Sequence, residues 1–320
     1  MISVDVVVVN WNGSAVLGDC LRSLLVSADR SSRAVTITVV DNGSVDDSVV
    51  LARAVAPSAA IVRSQVNLGF AGGVALGIDS TTGEAIVLVN NDATVDPDFI
   101  ERIVDALDRG GPRRGAVTGH IVLAGSEDDR GVPLVNSTGS EVGPTGNGRD
   151  RGYLERDDAP PAPPEVFGFC GGAAALRRSA LDEVGNFDPT LFLYYEDTEL
   201  SWRLRRRGYD VGYAHDAVVT HRHAFSSGLD SPVFTFYNTR NRLIVATRHA
   251  PARVASAAWA SALVRMARLA TNPARRRTMG PVARGTLGAL RALPHDLATR
   301  RRLRRTTTLT SAEIRALITR

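Results

Sequence analysis

The amino-acid sequence predicts an α/β fold, a mixed and mostly parallel central sheet flanked by helices, followed by a C-terminal helical appendage. Two observations carry the sheet. Short β-branched runs alternate with stretches of helical periodicity through the first third of the chain, the pattern of parallel strands joined by crossover helices. Each run also ends in a polar Asn- or Asp-rich turn, where a parallel strand would leave the sheet. A third observation carries the appendage: beyond residue 250 the chain is Ala- and Arg-rich with helical spacing, interrupted by Pro273, Pro281 and Pro294.

The elements follow in order. Val4 to Val9, broken only by Asp5, reads as a buried strand ending at Asn10-Trp11-Asn12-Gly13. Val16, Leu17, Leu21, Leu24 and Leu25 recur at helical spacing. Val35 to Val40 is a second strand, closed by Asp41-Asn42-Gly43-Ser44. Asp46 to Ala54 is expected to be helical, Ala60 to Val62 a short strand, and Phe70 to Asp79 a helix behind a glycine-rich turn. Ala85 to Val89 is a further strand, ending at Asn90-Asn91-Asp92. Asp96 reads as an N-cap, with Pro97 at the first helical position and Phe99, Ile100, Ile103, Val104 and Leu107 as the buried stripe. Residues 125–165 show no sustained periodicity and read as loops with room for a hairpin. A stiff segment containing Pro160, Pro161, Pro163 and Pro164 leads out of them. Structure resumes at Ala173 to Val184, and a helix from about Thr198 to Arg207 is stopped by Gly208.

Bulk properties bound the answer. With 320 residues, 44% of them hydrophobic and 22% charged, the chain can bury a full core. Two cysteines, Cys20 and Cys170, suggest neither a zinc site nor a disulfide framework. No secretory leader is read at the N-terminus, so a cytoplasmic setting is expected. The net charge of +4 conceals an asymmetry: residues 251–320 hold 15 arginines against Asp296 and Glu313, a net +13, which leaves −9 on residues 1–250. This divides the chain into an expected domain of residues 1–250 and a basic helical region of 251–320. There is no lysine, and the uncharged segment Val254 to Val264 is shorter than the roughly 20 apolar residues that cross a bilayer.

In parallel sheets ligands bind beyond the carboxyl ends of the strands, so Asn10, Asp41 and Asp92, each following a different strand, can meet in one cleft. Asp41 suits a ribose or base hydroxyl, or equally an Asx turn. Asn90, Asn91 and Asp92 offer oxygen ligands for magnesium or manganese, although Asn-Asp turns after strands are common. Glu196-Asp197-Thr198-Glu199 places three carboxylates in four residues. Mutual repulsion raises the pKa of such a group and a helix N-terminus lowers it, which describes either a general base or an ordinary acidic helix start. His221 is placed to complete a metal shell, or to serve structurally, with His223 beside it. Arg240 and Asn241 could bind phosphate or line a solvated helix face. The glycine-rich Asn67 to Gly73 fits neither the dinucleotide fingerprint nor a P-loop, which excludes a dehydrogenase and a P-loop kinase.

Taken together and in this order, Val6 to Gly13, Val39 to Asp46, Asn67 to Gly73, Leu88 to Pro97, Cys170 to Arg178, Gly185 to Gly208, Val218 to His221 and Tyr237 to Leu243 resemble the family 2 glycosyltransferases of GT-A fold, especially bacterial rhamnosyltransferase-like members. The resemblance covers about the first 250 residues. It implies that Asn10, Asn12, Asp41, Asn67, Asn90, Asn91 and Arg240 bind the donor. Asp92 and His221 would meet Mg2+ or Mn2+, and Asp197 would act as general base with Glu196 as its partner. The implied reaction is an inverting, metal-dependent transfer of a sugar, first of all rhamnose from dTDP-rhamnose, with UDP-sugars such as UDP-galactofuranose next. The implied acceptor is a glycan or polyprenyl-linked hydroxyl in cell-envelope polysaccharide synthesis. Two departures stand out: Val74-Ala75 where many relatives carry asparagines, and Glu199 where many carry a second Asp.

Two other readings compete. A non-catalytic sugar-nucleotide-binding or scaffold protein would have no need to keep Glu196-Asp197 together with His221. A sugar nucleotidyltransferase needs a glycine-rich loop with a basic residue after the first strand, which Asn10 to Gly13 lacks. The basic tail suits peripheral contact with an anionic membrane on the inner face of the cell, or else a solvated appendage or dimer contact. The acidic body argues against nucleic acid.

Overall fold

The computed structural model describes residues 2–159, 161–222, 231–271 and 276–319. Four parallel strands begin the sheet: β1 (Val4–Asn10), β2 (Val35–Asn42), β3 (Ala60–Ser64) and β4 (Ala85–Val89), in spatial order β3-β2-β1-β4. Helices α1 (Ser14–Arg30), α2 (Ser48–Val55) and α3 (Gly69–Asp79) connect them. Every side chain of β4 is buried, because helices cover both faces, and in β1 alternate residues enter different cores. Val4, Val6 and Val8 pack with α1 and with α4 (Phe99–Arg109), whereas Val7 packs on the face of α3.

Beyond β4 the sheet is mixed. After β5 (Ala93–Val95) come β6 (Arg114–Glu127), β7 (Pro133–Ser137), the hairpin β8 (Ser140–Val142) and β9 (Gly148–Asp150), β10 (Glu165–Val166) and β11 (Ala173–Arg177). β11 runs antiparallel between β4 and β6, so its N-terminal end meets the C-terminal end of β4. Then follow α5 (Arg178–Val184), a 3-10 turn at Pro189–Leu191, α6 (Glu196–Arg206) and β12 (Asp210–His221), which lies parallel to β6. The expected mixed, mostly parallel sheet flanked by helices is the one that forms.

The C-terminal part is α7 (Pro232–His249), α8 (Ala252–Thr271), α9 (Arg276–Thr306) and α10 (Ser311–Ala316). One core holds Ala71, Phe167 and Trp202 together with Val254, Ala258, Ala262, Ala289 and Ile314, so these helices and the sheet domain share buried surface. Arg248 of α7 reaches Asp296 of α9 at 2.7 Å and Asp188 at 2.6 Å.

Three local expectations are corrected. Asp96 does not cap α4: its N–H donates to the Val218 carbonyl at 3.1 Å, the helix starts at Phe99, and Asp98 pairs with Arg30 and Arg102. Pro281 and Pro294 do not interrupt the tail helix but lie inside α9. An interior proline costs about 3 kcal/mol, and close packing on α7 offsets it: at Gly285 a Cβ would sit 2.7 Å from the Phe236 carbonyl. Residues 125–165, read as loops with room for a hairpin, contain that hairpin at β8–β9 and in addition extend β6 and supply β7. His223, Pro160 and Pro273 lie outside the described residues.

Candidate active site

The carboxyl ends of β1, β2 and β4 gather the polar turns the sequence singled out. Asn10 and Asn91 meet directly, Asn91 Nδ2 donating to Asn10 Oδ1 at 2.8 Å. The meeting needs Gly13, since a Cβ there would lie 2.3 Å from both amides. Ser44 Oγ joins the next turn, accepting from Asn10 Nδ2 at 3.3 Å and from the Asn12 N–H at 3.0 Å, while Asn12 Oδ1 accepts the Val45 N–H at 2.8 Å. Asp41 is buried; one oxygen accepts the Ser44 N–H at 3.1 Å and the other pairs with Arg63 at 3.0 Å, so it holds the turn. Asn67 Oδ1 accepts the Gly69 N–H at 2.8 Å and Asn42 Nδ2 at 3.2 Å. The glycines beside it accommodate backbone: at Gly69, φ +72°, a Cβ would meet the Phe192 carbonyl at 2.2 Å.

On the other side of β4, His221 at the end of β12 meets Asp92. Its Nε2 lies 3.0 Å from Asp92 Oδ1 and 3.3 Å from Asn90 Nδ2, and its Nδ1 lies 2.7 Å from Asn136 Oδ1 on β7. An amide oxygen can only accept, so this contact places a proton on Nδ1 and orients the ring with Nε2 facing Asp92. Among the described residues no group of three His, Cys, Asp or Glu side chains is placed to hold a metal.

Asp197 stands in the first turn of α6, half-buried, where Oδ2 accepts the Gly171 N–H at 3.1 Å and Oδ1 accepts the Thr198 N–H at 2.5 Å. Burial raises its pKa and these donors oppose the rise. Glu196 is buried, its Oε2 without a hydrogen-bond partner among the described residues, and burial, followed by the Asp197 charge, pushes it up to about 8. Burial thus favours the neutral form of both acids, and the N–H donors at Asp197 favour its charged form. Glu199 belongs elsewhere: it is buried between Arg203 at 2.8 Å and His249 at 3.0 Å.

The approach to Asp197 is strained. Phe192, Tyr194 and Tyr195 all have positive φ, between 65° and 70°, a conformation that costs non-glycine residues on the order of 1–3 kcal/mol each. Asn241 holds this segment: fully buried on α7, its Nδ2 donates to the carbonyls of Leu191, Leu193 and Tyr194 at 2.8, 2.9 and 2.8 Å. Arg240 donates to the Thr190 carbonyl at 3.0 Å and to Asn241 Oδ1 at 2.7 Å, so it braces the same loop. Neither residue joins the Asn10 or His221 networks by a hydrogen bond among the described residues.

Sequence reasoning missed Asn136 and Asp150. Asp150 stands at the end of β9, paired across the hairpin with Ser140. Burial lifts its pKa to about 6. The only local signal was Asn147-Gly148 in an aperiodic stretch, a turn signal that says nothing about where the hairpin docks. The site thus combines two groups of different chemistry, a carboxylate–imidazole pair (Asp92, His221) and a buried acid pair (Glu196, Asp197).

Comparisons with known proteins bear on the family and the fold. The family description "Glycosyl transferase family 2" matches residues 5–185. An N-acetylglucosaminyl-diphospho-decaprenol L-rhamnosyltransferase of Mycobacterium tuberculosis (strain ATCC 25618 / H37Rv) is 30% identical over 244 residues, 70% of this chain and 78% of that one. Among solved structures, the mannosyltransferase PcManGT from Pyrobaculum calidifontis, in complex with GDP-Man and Mn2+, superposes with TM-score 0.55 at 17% identity, over 92% of this chain and 88% of that chain. S. aureus TarS 1-349 in complex with UDP-GlcNAc gives 0.57 at 13% identity, over 95% and 91%. At these identities the structural likeness speaks for the fold, which is GT-A.

Proposed function

The chain belongs to glycosyl transferase family 2 and is a glycosyltransferase; from that premise we propose that it is an inverting enzyme that moves a sugar, first of all rhamnose from dTDP-rhamnose, to a hydroxyl of a polyprenyl-diphosphate-linked glycan. The observation that carries the reading is the pairing of a half-buried carboxylate at Asp197, held by two backbone N–H groups, with a carboxylate–imidazole pair at Asp92 and His221. The similar mycobacterial rhamnosyltransferase acts, by its name, on such a lipid-linked N-acetylglucosaminyl acceptor, and this supports the choice.

In the proposed reaction Asp197 accepts the proton of the acceptor hydroxyl as its oxygen bonds to the anomeric carbon. The bond from that carbon to the diphosphate oxygen breaks on the opposite face, its electron pair leaving with the nucleoside diphosphate. Asn10, Asn12 and Asn91 form the floor for the nucleotide. Asp92 and His221 would hold Mg2+ or Mn2+: an oxygen and an imidazole nitrogen suit such a cation, and two protein ligands leave positions for diphosphate oxygens and water. When bound, the cation would offset charge on the departing diphosphate. Asn136 orients the His221 ring so that Nε2 faces Asp92.

A thermal-shift panel of nucleotide sugars with and without Mn2+ tests this reading. Stabilisation by dTDP-rhamnose that requires Mn2+, with Asn136→Ala needing about 10–100-fold more Mn2+, is the expected result. A panel with no stabilising nucleotide sugar, or full stabilisation in EDTA, would refute the donor or the metal assignment respectively.

We also infer peripheral contact with an anionic membrane. Leu263, Val264, Leu287, Leu290 and Leu297 are exposed on α8 and α9, interleaved with exposed Arg265, Arg268, Arg284 and Arg291. No helix among the described residues is long and apolar enough to cross a membrane. At about 1 kcal/mol per basic residue, changing those four arginines to Ala should weaken co-sedimentation with phosphatidylglycerol vesicles more than about tenfold. Equal binding by the variant, or equal binding to neutral vesicles, would count against the inference.

A further inference from the structure

Beside the reaction cleft lies a cavity of about 320 Å3, walled by β6, β7, the segment after β9, the proline-rich segment and β12. That volume is near the lower end of the roughly 300–1,000 Å3 of small-molecule sites. β7 separates it from the cleft: Val135 lines the cavity, while the next side chain, Asn136, bonds His221. His120 of the cavity pairs with Val218, and Leu123 with His221, so the two places stand three residues apart on the sheet, about 10 Å at ~3.3 Å per residue. Backbone bonds fix the walls. The Val135 N–H donates to the Glu155 carbonyl at 2.8 Å, the Asp157 N–H to the Pro133 carbonyl at 2.9 Å and the Tyr213 N–H to the Pro164 carbonyl at 2.8 Å. A cavity held this way needs little ordering when a ligand enters.

A chain of polar side chains runs through this space. Asp157 Oδ1 lies 2.5 Å from His120 Nε2, His120 Nδ1 lies 2.6 Å from the Tyr213 hydroxyl, and that hydroxyl lies 3.0 Å from His215 Nδ1. His120 and Tyr213 are buried and satisfy one another, whereas the ends of the chain, half-buried Asp157 and exposed His215, remain open to a ligand. The register of β12 against β6 shifts between Ala214 and Val218, and this irregularity carries His215. The lining charges balance: Arg151 and Arg156 against Glu155 and Asp157. Arg156 is committed to Asp128 at 2.6 Å, and Arg151 to the carbonyls of Thr138 and Glu165, its guanidinium 5.1 Å over the Tyr213 ring. Equal numbers of both signs supply no net field to draw in an ion. Interspersed donors and acceptors instead suit hydroxyl groups, each of which donates and accepts.

We propose that this cavity is a carbohydrate site apart from the reaction centre. It seats one neutral sugar residue, whose hydroxyls bond Glu155, Asp157 and His215 and whose carbon face packs on Ala162 and the neighbouring prolines. The apolar wall and the few convergent polar groups are both present in the lining. The sugar belongs either to the glycan that carries the acceptor hydroxyl or to a separate saccharide, and the two sources are told apart by kinetics.

Proton NMR of the full chain tests this, with the His215 ring resonances identified by their absence from His215→Ala. The probes are rhamnose, N-acetylglucosamine, the rhamnosyl-N-acetylglucosamine disaccharide and, as a charged control, inorganic phosphate. At least one sugar is expected to shift the His215 resonances saturably. Ala162→Trp, which fills the cavity, should weaken that binding about tenfold or more with an unfolding midpoint within about 4 °C of wild type. Glu155→Ala, at an exposed position, should weaken it about tenfold through the lost hydrogen bond to a charged group, and it decides the matter if Ala162→Trp does not fold. No saturable shift with any of the three sugars, wild-type affinity in the deciding variant, or a shift with phosphate alone would overturn the proposal. In steady state, an acceptor KM raised about tenfold in the deciding variant, with the donor KM within about twofold, assigns the sugar to the acceptor glycan. Unchanged KM values with the NMR shift lost assign it to a separate saccharide. A rise confined to the donor KM would overturn the proposal by placing the cavity in the donor cleft. The sugar titration needs no turnover, so failure of the transfer reading shows separately, in a wild type that transfers no sugar.

Discussion

Asp197→Asn is expected to cut transfer turnover by about 10²–10⁴-fold, the usual contribution of a general base, while dTDP affinity stays within about twofold. The substitution keeps size and removes the ability to take a proton; its single amide oxygen can accept only one of the Gly171 and Thr198 N–H groups that the two wild-type oxygens accept. Because burial holds the Asp197 pKa above its ordinary value, the wild-type kcat/KM should fall on the acid side at a higher pH than an exposed carboxylate would give. That acid limb should be missing from the residual activity of the variant. A pH–rate profile and single-turnover rates check both points, and a variant with wild-type turnover would remove Asp197 from the mechanism.

Glu199→Gln is expected to destabilise the fold by about 3–5 kcal/mol, the cost of leaving one partner of a buried ion pair alone. Arg203 is 12% exposed at its side chain and also donates to the carbonyls of Val184, Gly185 and Asn186. Glu199 neutralises this clamp and accepts His249 Nε2, stitching α5, α6 and α7 together. His249 is pushed down by burial, so it donates as a neutral imidazole stacked on Trp202. The pH sign follows from Glu199, whose folded pKa is depressed, with Arg203 and His249 overcoming the opposing effect of burial. Its stabilisation is full above the unfolded value near 4.5 and is lost as pH falls from there toward the folded value. Chemical denaturation at pH 7 and at pH 4 tests this: the gap between wild type and variant should narrow at the lower pH, and an equal gap at both would exclude the linkage.

The contacts of Glu199 bear on the departure at position 199. The resemblance implies an Asp there, and the longer Glu side chain reaches both Arg203 and His249. The other departure, Val74-Ala75, lies on α3, where Val74 packs against Val7 and Val40 in the core. That placement makes Val74 a packing residue.

Much of the cleft could be read before any coordinates. Strand periodicity identified β1, β2 and β4, and parallel strands must deliver their carboxyl ends to one edge, so Asn10, Asp41 and Asp92 had to approach one another. These are short-range consequences of backbone sterics and of which side chains water rejects, and every residue window contains them. Asp41 was left open between ligand and turn, and its bonds to Ser44 and Arg63 make the turn. Asn136 and Asp150 lie in a stretch with no usable period, and Arg240 and Asn241 in a helix whose polar face could have met solvent or ligand equally well. Their positions depend on contacts across long separations in the chain, such as Gly148 with Tyr195, His221 with Asn136 and Thr319 with Val142. Local composition therefore settled the sheet, the edge where its polar turns gather and the charge of the tail. The contents of the cleft were settled by closure of the whole chain, because a lone carboxylate or amide has no partner preference until folding removes water and leaves it only the neighbours within reach.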